Sequence, residues 1–393
     1  MNKKFDLISD RIMNIQNLLN SNFIDSLIDF NNSEKNVINK NSEDIRECLP
    51  KKYIDLTTAI NALGGKLLYI KSGSTGHTFK GIHFKDNKID ELKEPYAIKI
   101  VAYPKKECYG DMYNIKRPEN TEILMIKLLS QFVIEKQTPH IILPITTFNT
   151  CIQPFINLTK ANIVNSKKLE QFVERYEKGD FYQNVSILVS EWANSGDLLD
   201  FLRNNYKILK LKVWKTLFFQ IFSVLAIIQT KYPAFRHNDM KANNILLHTV
   251  NLDNRKYLYK INNNQYIIPN IGLQIKLWDF DFACIPNVIE NTKVTAEWTK
   301  KINITPDQNR YYDLHYFFNT LIKKGFLPEI LSAPEVPEKV KSFISRILPE
   351  NYRNNLKYVT ERGRILINNE YAIPEQVLQT DPFFKVFRIN DIK

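Results

Sequence analysis

The hydrophobic pattern of this chain changes character near Asp197, and that change limits the folds open to it. Before it, short β-type runs are broken by Gly, Asp and Asn: LLYIKSG from Leu67, the alternation from Thr78 to Phe84, and YAIKIVAY at 96–103. A turn at Lys85–Asn87 makes the last two adjacent antiparallel strands. HIILPI (140–145) and SILVSEW (186–192) read as two more, separated by a long polar insertion at about 149–184. One helix is expected over 118–135, with Pro118 at its start. After Asp197 helical spacing takes over, broken by an irregular Asn-rich segment at about 249–272 that reads as a surface insertion. Strands first and helices second predict an α+β fold of two lobes. The N-lobe, 64–190, is β-rich with one key helix; the C-lobe, 191–393, is mainly helical. Residues 1–55 form an Asn/Lys-rich extension. Its Leu7, Ile12, Ile15, Leu18, Leu19 and Phe23 recur at intervals near 3 and 4, as in a docking or capping helix.

Composition closes off several classes. Hydrophobic residues make up 44% and aromatics 12%, too apolar for a disordered chain. The longest apolar stretch, TLFFQIFSVLAIIQT (216–230), is shorter than the roughly 20 residues a bilayer span needs. It reads as a buried core helix, so no transmembrane segment is expected. Cys48, Cys108, Cys151 and Cys284 are scattered without a metal-ligand or disulfide pattern, which points to a reducing compartment. MNKKFDLISDRIMNI lacks the apolar run of a secretory signal. The net charge of +12 accompanies an excess of Asn, Lys and Ile of the kind AT-rich coding produces. No nucleic-acid-reading motif lies behind it.

The chemistry concentrates in RHNDMKANNILL (236–247), where His237, Asp239, Lys241 and Asn244 precede an apolar strand. Downstream, IKLWDFDFA (275–283) delivers Asp279 to the end of a strand, where a loop can hold a cation. Upstream, YAIKI places Lys99 on a strand and Glu122 sits on the expected helix, with Glu119 as a competitor. Before these, Gly73-Ser74-Thr75-Gly76 follows the strand LLYIK and precedes Thr78. Glycines let backbone N–H groups approach phosphates, and amide and carboxylate oxygens suit Mg²⁺.

In this order the motifs resemble the protein kinase superfamily over about residues 64–387. The resemblance implies an ATP site made of Ile70, Gly73, Ser74, Thr75, Gly76, Thr78, Ala97, Lys99, Glu122, Glu191 and Ala193. It implies Asp239, Lys241 and Lys99 as catalytic residues, and Asn244 and Asp279 as ligands of Mg²⁺ or Mn²⁺. ILVSEWANSGDLLDFL (187–202) is similar to a kinase hinge, with Ser190 as gatekeeper and Glu191, Trp192 and Ala193 presenting backbone to adenine. Cys284, behind the metal loop, reads as a small buried hydrophobe.

Departures narrow the family. Lys71 replaces the first loop glycine, Asn238 stands where H-R-D has Arg, D-F-G has become Asp279-Phe280-Asp281, and no A-P-E follows. A neutral Asn238 cannot pair with a phosphate, so activity independent of activation-segment phosphorylation is expected. Asp281 in place of glycine should restrict any flip of that motif. D-F-D together with YYDLHYFFNTLI (311–322) resembles the late serine/threonine kinases of poxviruses, with Asp313 anchoring the catalytic-loop backbone. That resemblance implies a kinase of a large DNA virus acting on protein Ser/Thr. It also implies the host cytoplasm, packaging in virions and peripheral membrane association. Two other readings share parts of the pattern: a small-molecule kinase of the choline or aminoglycoside type, and a pseudokinase scaffold. Lys241 and the hinge argue against the first, and the presence of Lys99, Asp239, Asn244 and Asp279 against the second.

Overall fold

Alternating apolar residues in the first half build one antiparallel sheet, the centre of a unit comprising residues 1–131 and 143–192. The computed structural model describes residues 8–19, 24–31, 42–73, 76–85, 88–90, 93–160 and 166–389. Leu7, Phe23, Asp86, Asn87, Ser74 and Thr75 lie outside that set. The elements of this unit begin with α1 (Ile8–Leu19), α2 (Leu56–Ala62), β1 (Gly65–Ser72), β2 (His77–Lys85), β3 (Lys88–Ile89) and β4 (Tyr96–Pro104). They continue with α3 (Pro118–Ile134), β5 (Pro144–Cys151), α4 (Gln153–Lys160), α5 (Lys167–Glu177) and β6 (Phe181–Glu191). The strand order is β1-β2-β4-β6-β5, with β3 paired to β2. Central β4 is buried on both faces, which is why its sequence is apolar almost without a break.

One expectation is corrected here. HIILPI does not form one strand: β5 begins at Pro144, and Ile141 makes a single bridge to Leu277. Proline has no N–H to give a ladder, so it fits the first position of a strand and not its middle. The polar insertion expected at 149–184 lies between β5 and β6 and carries helices among its described residues. It contains the end of β5, then α4 and α5, then the start of β6. Leu169, Phe172 and Val173 of α5 are buried at helical spacing, and its polar residues form the outer face.

The second unit comprises residues 132–142 and 193–393. It holds α6 (Leu198–Asn205), α7 (Leu211–Lys231), β7 (Ile245–Thr249), β8 (Lys256–Ile261), β9 (Asn264–Pro269) and β10 (Leu273–Leu277). After these come α8 (Thr292–Thr295), α9 (Glu297–Lys300), α10 (Tyr312–Leu321), α11 (Glu338–Ile347) and α12 (Pro374–Thr380). Asp197 caps α6, its Oδ1 accepting from Asp200 N at 3.0 Å. Among the described residues α7 is the one helix long and apolar enough to cross a membrane. It is instead the core of this unit, with residues 216–229 all buried. Phe218, Phe219 and Phe222 pack against Phe343, Phe383, Phe384 and Phe387, and Phe343 stacks on Phe383 at 4.2 Å.

The segment at 249–272 is corrected from an irregular insertion to a hairpin, β8 with β9, turning at Asn262 with φ +49°. Asparagine tolerates that left-handed backbone better than other side chains. Tyr259 is buried and stacked on His140, whose Nε2 lies 2.8 Å from the Tyr259 hydroxyl. The Asn-rich turn drew attention away from the alternation of Tyr257, Tyr259 and Ile261. The mixed α+β class holds, with the main sheet in one unit and most helices in the other.

Candidate functional site

Two groups of expected residues are assembled, one in each unit. In the first, strand register does the placing: Thr78 is opposite Lys99, Lys99 opposite Leu188, and Ala97 opposite Ser190. Lys99 Nζ lies 2.5 Å from Glu122 Oε1, and both side chains are buried, 8% and 6% exposed. Glu119 is engaged elsewhere, 2.8 Å from Arg117 Nε, so Glu122 is the partner. Gly73 N donates to Gly76 O at 2.8 Å. A Cβ on Gly76 would lie 2.7 Å from Ile100 O, so the close approach of β4 alone requires glycine there. Ile70 sits half-exposed on β1.

The expected hinge includes Glu191, the last residue of β6. Its N–H already donates to Leu143 O, so its carbonyl is the backbone group a ligand can share. Its carboxylate accepts from Leu143 N at 2.8 Å and from Arg11 Nε at 2.9 Å, with a second Arg11 contact through Nη2. Arg11, on α1, is buried and escaped the sequence reading. So did Lys51, whose Nζ donates to Asn120 Oδ1 at 3.0 Å and Ser186 Oγ at 2.6 Å. Burial pushes the Lys51 amine down to about 7, against the pull of Glu119 and Glu122. Ala193, in the second unit, is buried.

In the second unit the loop 237–244 is fastened from below. Asp313 on α10 accepts from His237 N at 2.8 Å and Asn238 N at 2.9 Å. Burial pushes the Asp313 carboxyl up, while His237, Arg236 and those two donors pull it back. His237 Nε2 lies 3.0 Å from Trp278 O, tying the loop to the end of β10. The Asp239 carboxylate is held at both oxygens. Oδ2 receives Lys241 Nζ at 2.9 Å and Asn244 Nδ2 at 3.0 Å; Oδ1 receives Arg364 Nη2 at 3.0 Å. Asn238 and Asp279 both have left-handed backbone, φ +62° and +65°. Such strain in non-glycine residues persists only where surrounding bonds hold it.

β7 pairs with β10 so that Ile245 faces Leu277. Asn244 and Asp279 therefore leave the same end of this two-stranded ribbon. Asn244 uses its amide nitrogen on Asp239, which turns its oxygen to other partners. An amide oxygen and a carboxylate are hard donors, and no group of three or more His, Cys, Asp or Glu suited to a metal occurs among the described residues. That donor set fits Mg²⁺, which binds through one or two protein oxygens plus phosphates and water. Asp281, at the glycine position, pairs with buried Lys293, and Asn291 Nδ2 donates to Asp281 O at 3.0 Å. Cys284 packs with Val294 and Ile304, and burial pushes its thiol up to about 12, so it is an inert core residue.

Known proteins similar to this chain share one family description. A family model described as poxvirus serine/threonine protein kinase matches residues 110–368. A protein of Acanthamoeba polyphaga mimivirus assigned as a serine/threonine-protein kinase, R400, is 46% identical over 352 residues, 87% of this chain and 73% of that one. Serine/threonine-protein kinase 2 of Fowlpox virus is 26% identical over 284 residues, 70% of this chain and 58% of the fowlpox protein. Its namesake in Monkeypox virus is 28% identical over 200 residues, 49% and 42% of the two chains.

Proposed function

The chain belongs to the poxvirus serine/threonine protein kinase family, and on that premise we propose that it transfers the γ-phosphate of ATP to Ser or Thr hydroxyls of protein. The observation that carries this reading is the fastening of Asp239 by Lys241 and Asn244 on a loop anchored by Asp313. A carboxylate so held can accept a proton without first reorganising.

Asp239 accepts the proton of the acceptor hydroxyl as its oxygen attacks the γ-phosphorus. The bond from that phosphorus to the bridging oxygen breaks, and ADP leaves. Lys241 sets its cation beside the transferred group. Lys99, kept extended by Glu122, neutralises the α- and β-phosphates, and Gly73 and Gly76 cover them with backbone N–H groups. Ile70, Thr78 and Ala97 flank the nucleotide, and the Glu191 carbonyl with the backbone of Ala193 reads adenine. Asn244 and Asp279 would hold Mg²⁺ or Mn²⁺, which neutralises phosphate charge when bound.

The test is label transfer from γ-labelled ATP with Mg²⁺ or Mn²⁺ to casein, a basic protein and choline, for wild type and Asp239→Asn. Label in protein Ser or Thr, reduced by a factor of about 10² to 10⁴ in the variant, is expected. Label in choline alone would identify a small-molecule kinase. ATP binding without transfer would identify a scaffold. On the family likeness we also propose action in the host cytoplasm and carriage in virions, checked by mass spectrometry of purified particles.

A further inference from the structure

Asp239 receives a third donor that the motif does not contain. Arg364 lies in a turn far along the chain, yet its Nη2 is 3.0 Å from Asp239 Oδ1 and 3.4 Å from Asn238 O. The side chain is 5% exposed, and its guanidinium lies 4.1 Å from the centre of the Tyr316 ring. The turn that presents it is built, not loose. Val359 bridges Ile365, Thr360 N donates to Arg364 O at 2.8 Å, and Arg364 N donates to Thr360 Oγ1 at 3.0 Å. Gly363, at φ +84°, gives its carbonyl to Asn319 Nδ2 at 2.9 Å. Asp313, Tyr316 and Asn319 all project from α10. One helix therefore anchors the catalytic loop, stacks the arginine and pins the turn that carries it.

A carboxylate offers about four lone-pair positions. Lys241 and Asn244 occupy two on Oδ2, and Arg364 occupies one on Oδ1. We propose that Arg364 is a positioning residue for Asp239: it fixes the plane of the carboxylate and leaves one Oδ1 lone pair aimed at the acceptor hydroxyl. The proposal rests on the kinase reading above. An arginine fork held by an aromatic face and a backbone carbonyl has little freedom left to lose, so it can set an angle that flexible Lys241 cannot.

The experiment measures protein phosphorylation, KM for ATP and thermal melting for wild type, Arg364→Met, Arg364→Lys, Asp239→Asn and the Arg364→Met/Asp239→Asn double variant. Arg364→Met should lower kcat about 10- to 100-fold and leave KM for ATP within about twofold. Arg364→Lys should recover part of the loss. In the Asp239→Asn background, removing Arg364 should cost less than about twofold, because the two residues act as one unit. An unchanged or raised kcat in Arg364→Met overturns the proposal, and so does an equal loss in both backgrounds. Should Arg364→Met not fold, Arg364→Lys and Tyr316→Leu carry the test. Lowered kcat at constant KM supports the proposal, and unaltered kcat in both ends it. A wild type without transfer removes the kinase reading and this proposal together. An active wild type with a silent Arg364 removes this proposal alone.

Discussion

Lys99 and Asp239 are both charges in largely buried surroundings, yet the two units hold them by different means. Lys99 sits in the ladder of β4 and meets Glu122 on α3, so regular secondary structure places both partners. Asp239 sits in an irregular loop. Its place comes from side chains that bond to backbone and to its own oxygens, above all Asp313, Asn244 and Lys241. A ladder is stiff because many equivalent bonds share the load. A loop held by a few anchors is stiff only while each anchor survives. The first arrangement should therefore answer to loss of charge, the second to loss of hydrogen-bond geometry.

Four substitutions sharpen the contrast, the first three in falling order of effect. Glu122→Gln leaves the buried Lys99 ammonium without that counter-charge, and breaking such a pair costs roughly 3–5 kcal/mol. Urea unfolding should show this loss, together with a raised KM for ATP. Asp313→Asn keeps one acceptor but turns an amide N–H toward the other backbone donor. About 1–3 kcal/mol should be lost, and kcat should fall while KM for ATP holds, the opposite split from Glu122→Gln. Arg11→Ala frees the Glu191 carboxylate from its α1 partner; KM for ATP should rise about threefold, near 0.7 kcal/mol, with kcat kept. A fall in kcat instead would show that α1 acts beyond the hinge.

The fourth effect concerns pH. Lys51 titrates near 7 in the folded unit because it is buried, against 10.5 when exposed. Between about pH 7 and 10.5 the unfolded chain thus binds the extra proton, and this group makes folding more favourable as pH rises. Below pH 7 both states are protonated and its slope vanishes. Glu119 and Glu122 pull its amine up, and Arg117 pushes it down. Lys51→Met should remove the slope, at most about 1.4 kcal/mol per pH unit, in urea titrations at pH 7 and pH 9.

The same contrast explains what the sequence made legible. His237, Asp239, Lys241 and Asn244 stand close together in one loop, so their spacing, taken with the order of the other motifs, made them readable. Lys99 was readable as a strand residue. Its partner was ambiguous because Glu119 and Glu122 lie one helical turn apart, and only the Arg117 contact separates them. Arg364, Arg11 and Lys51 were invisible because each acts on residues remote in the chain, and a lone cation in a Lys-rich sequence carries no periodic signal. The strand at 140–145 failed at Pro144, where a missing N–H outweighed an apolar run. The hairpin at 256–269 was hidden by its Asn-rich turn.

The core of the second unit has a consequence for its synthesis. α7 is made early, whereas Phe343, Phe383, Phe384 and Phe387, which pack on Phe218, Phe219 and Phe222 alongside Tyr259, Tyr266, Phe317 and Phe318, are made last. During translation a 21-residue apolar segment waits for the chain to reach α12 and beyond before its cover is complete. Ribosome-bound chains ending before residue 343 should therefore engage hydrophobic-segment chaperones, and those extending past residue 387 should release them.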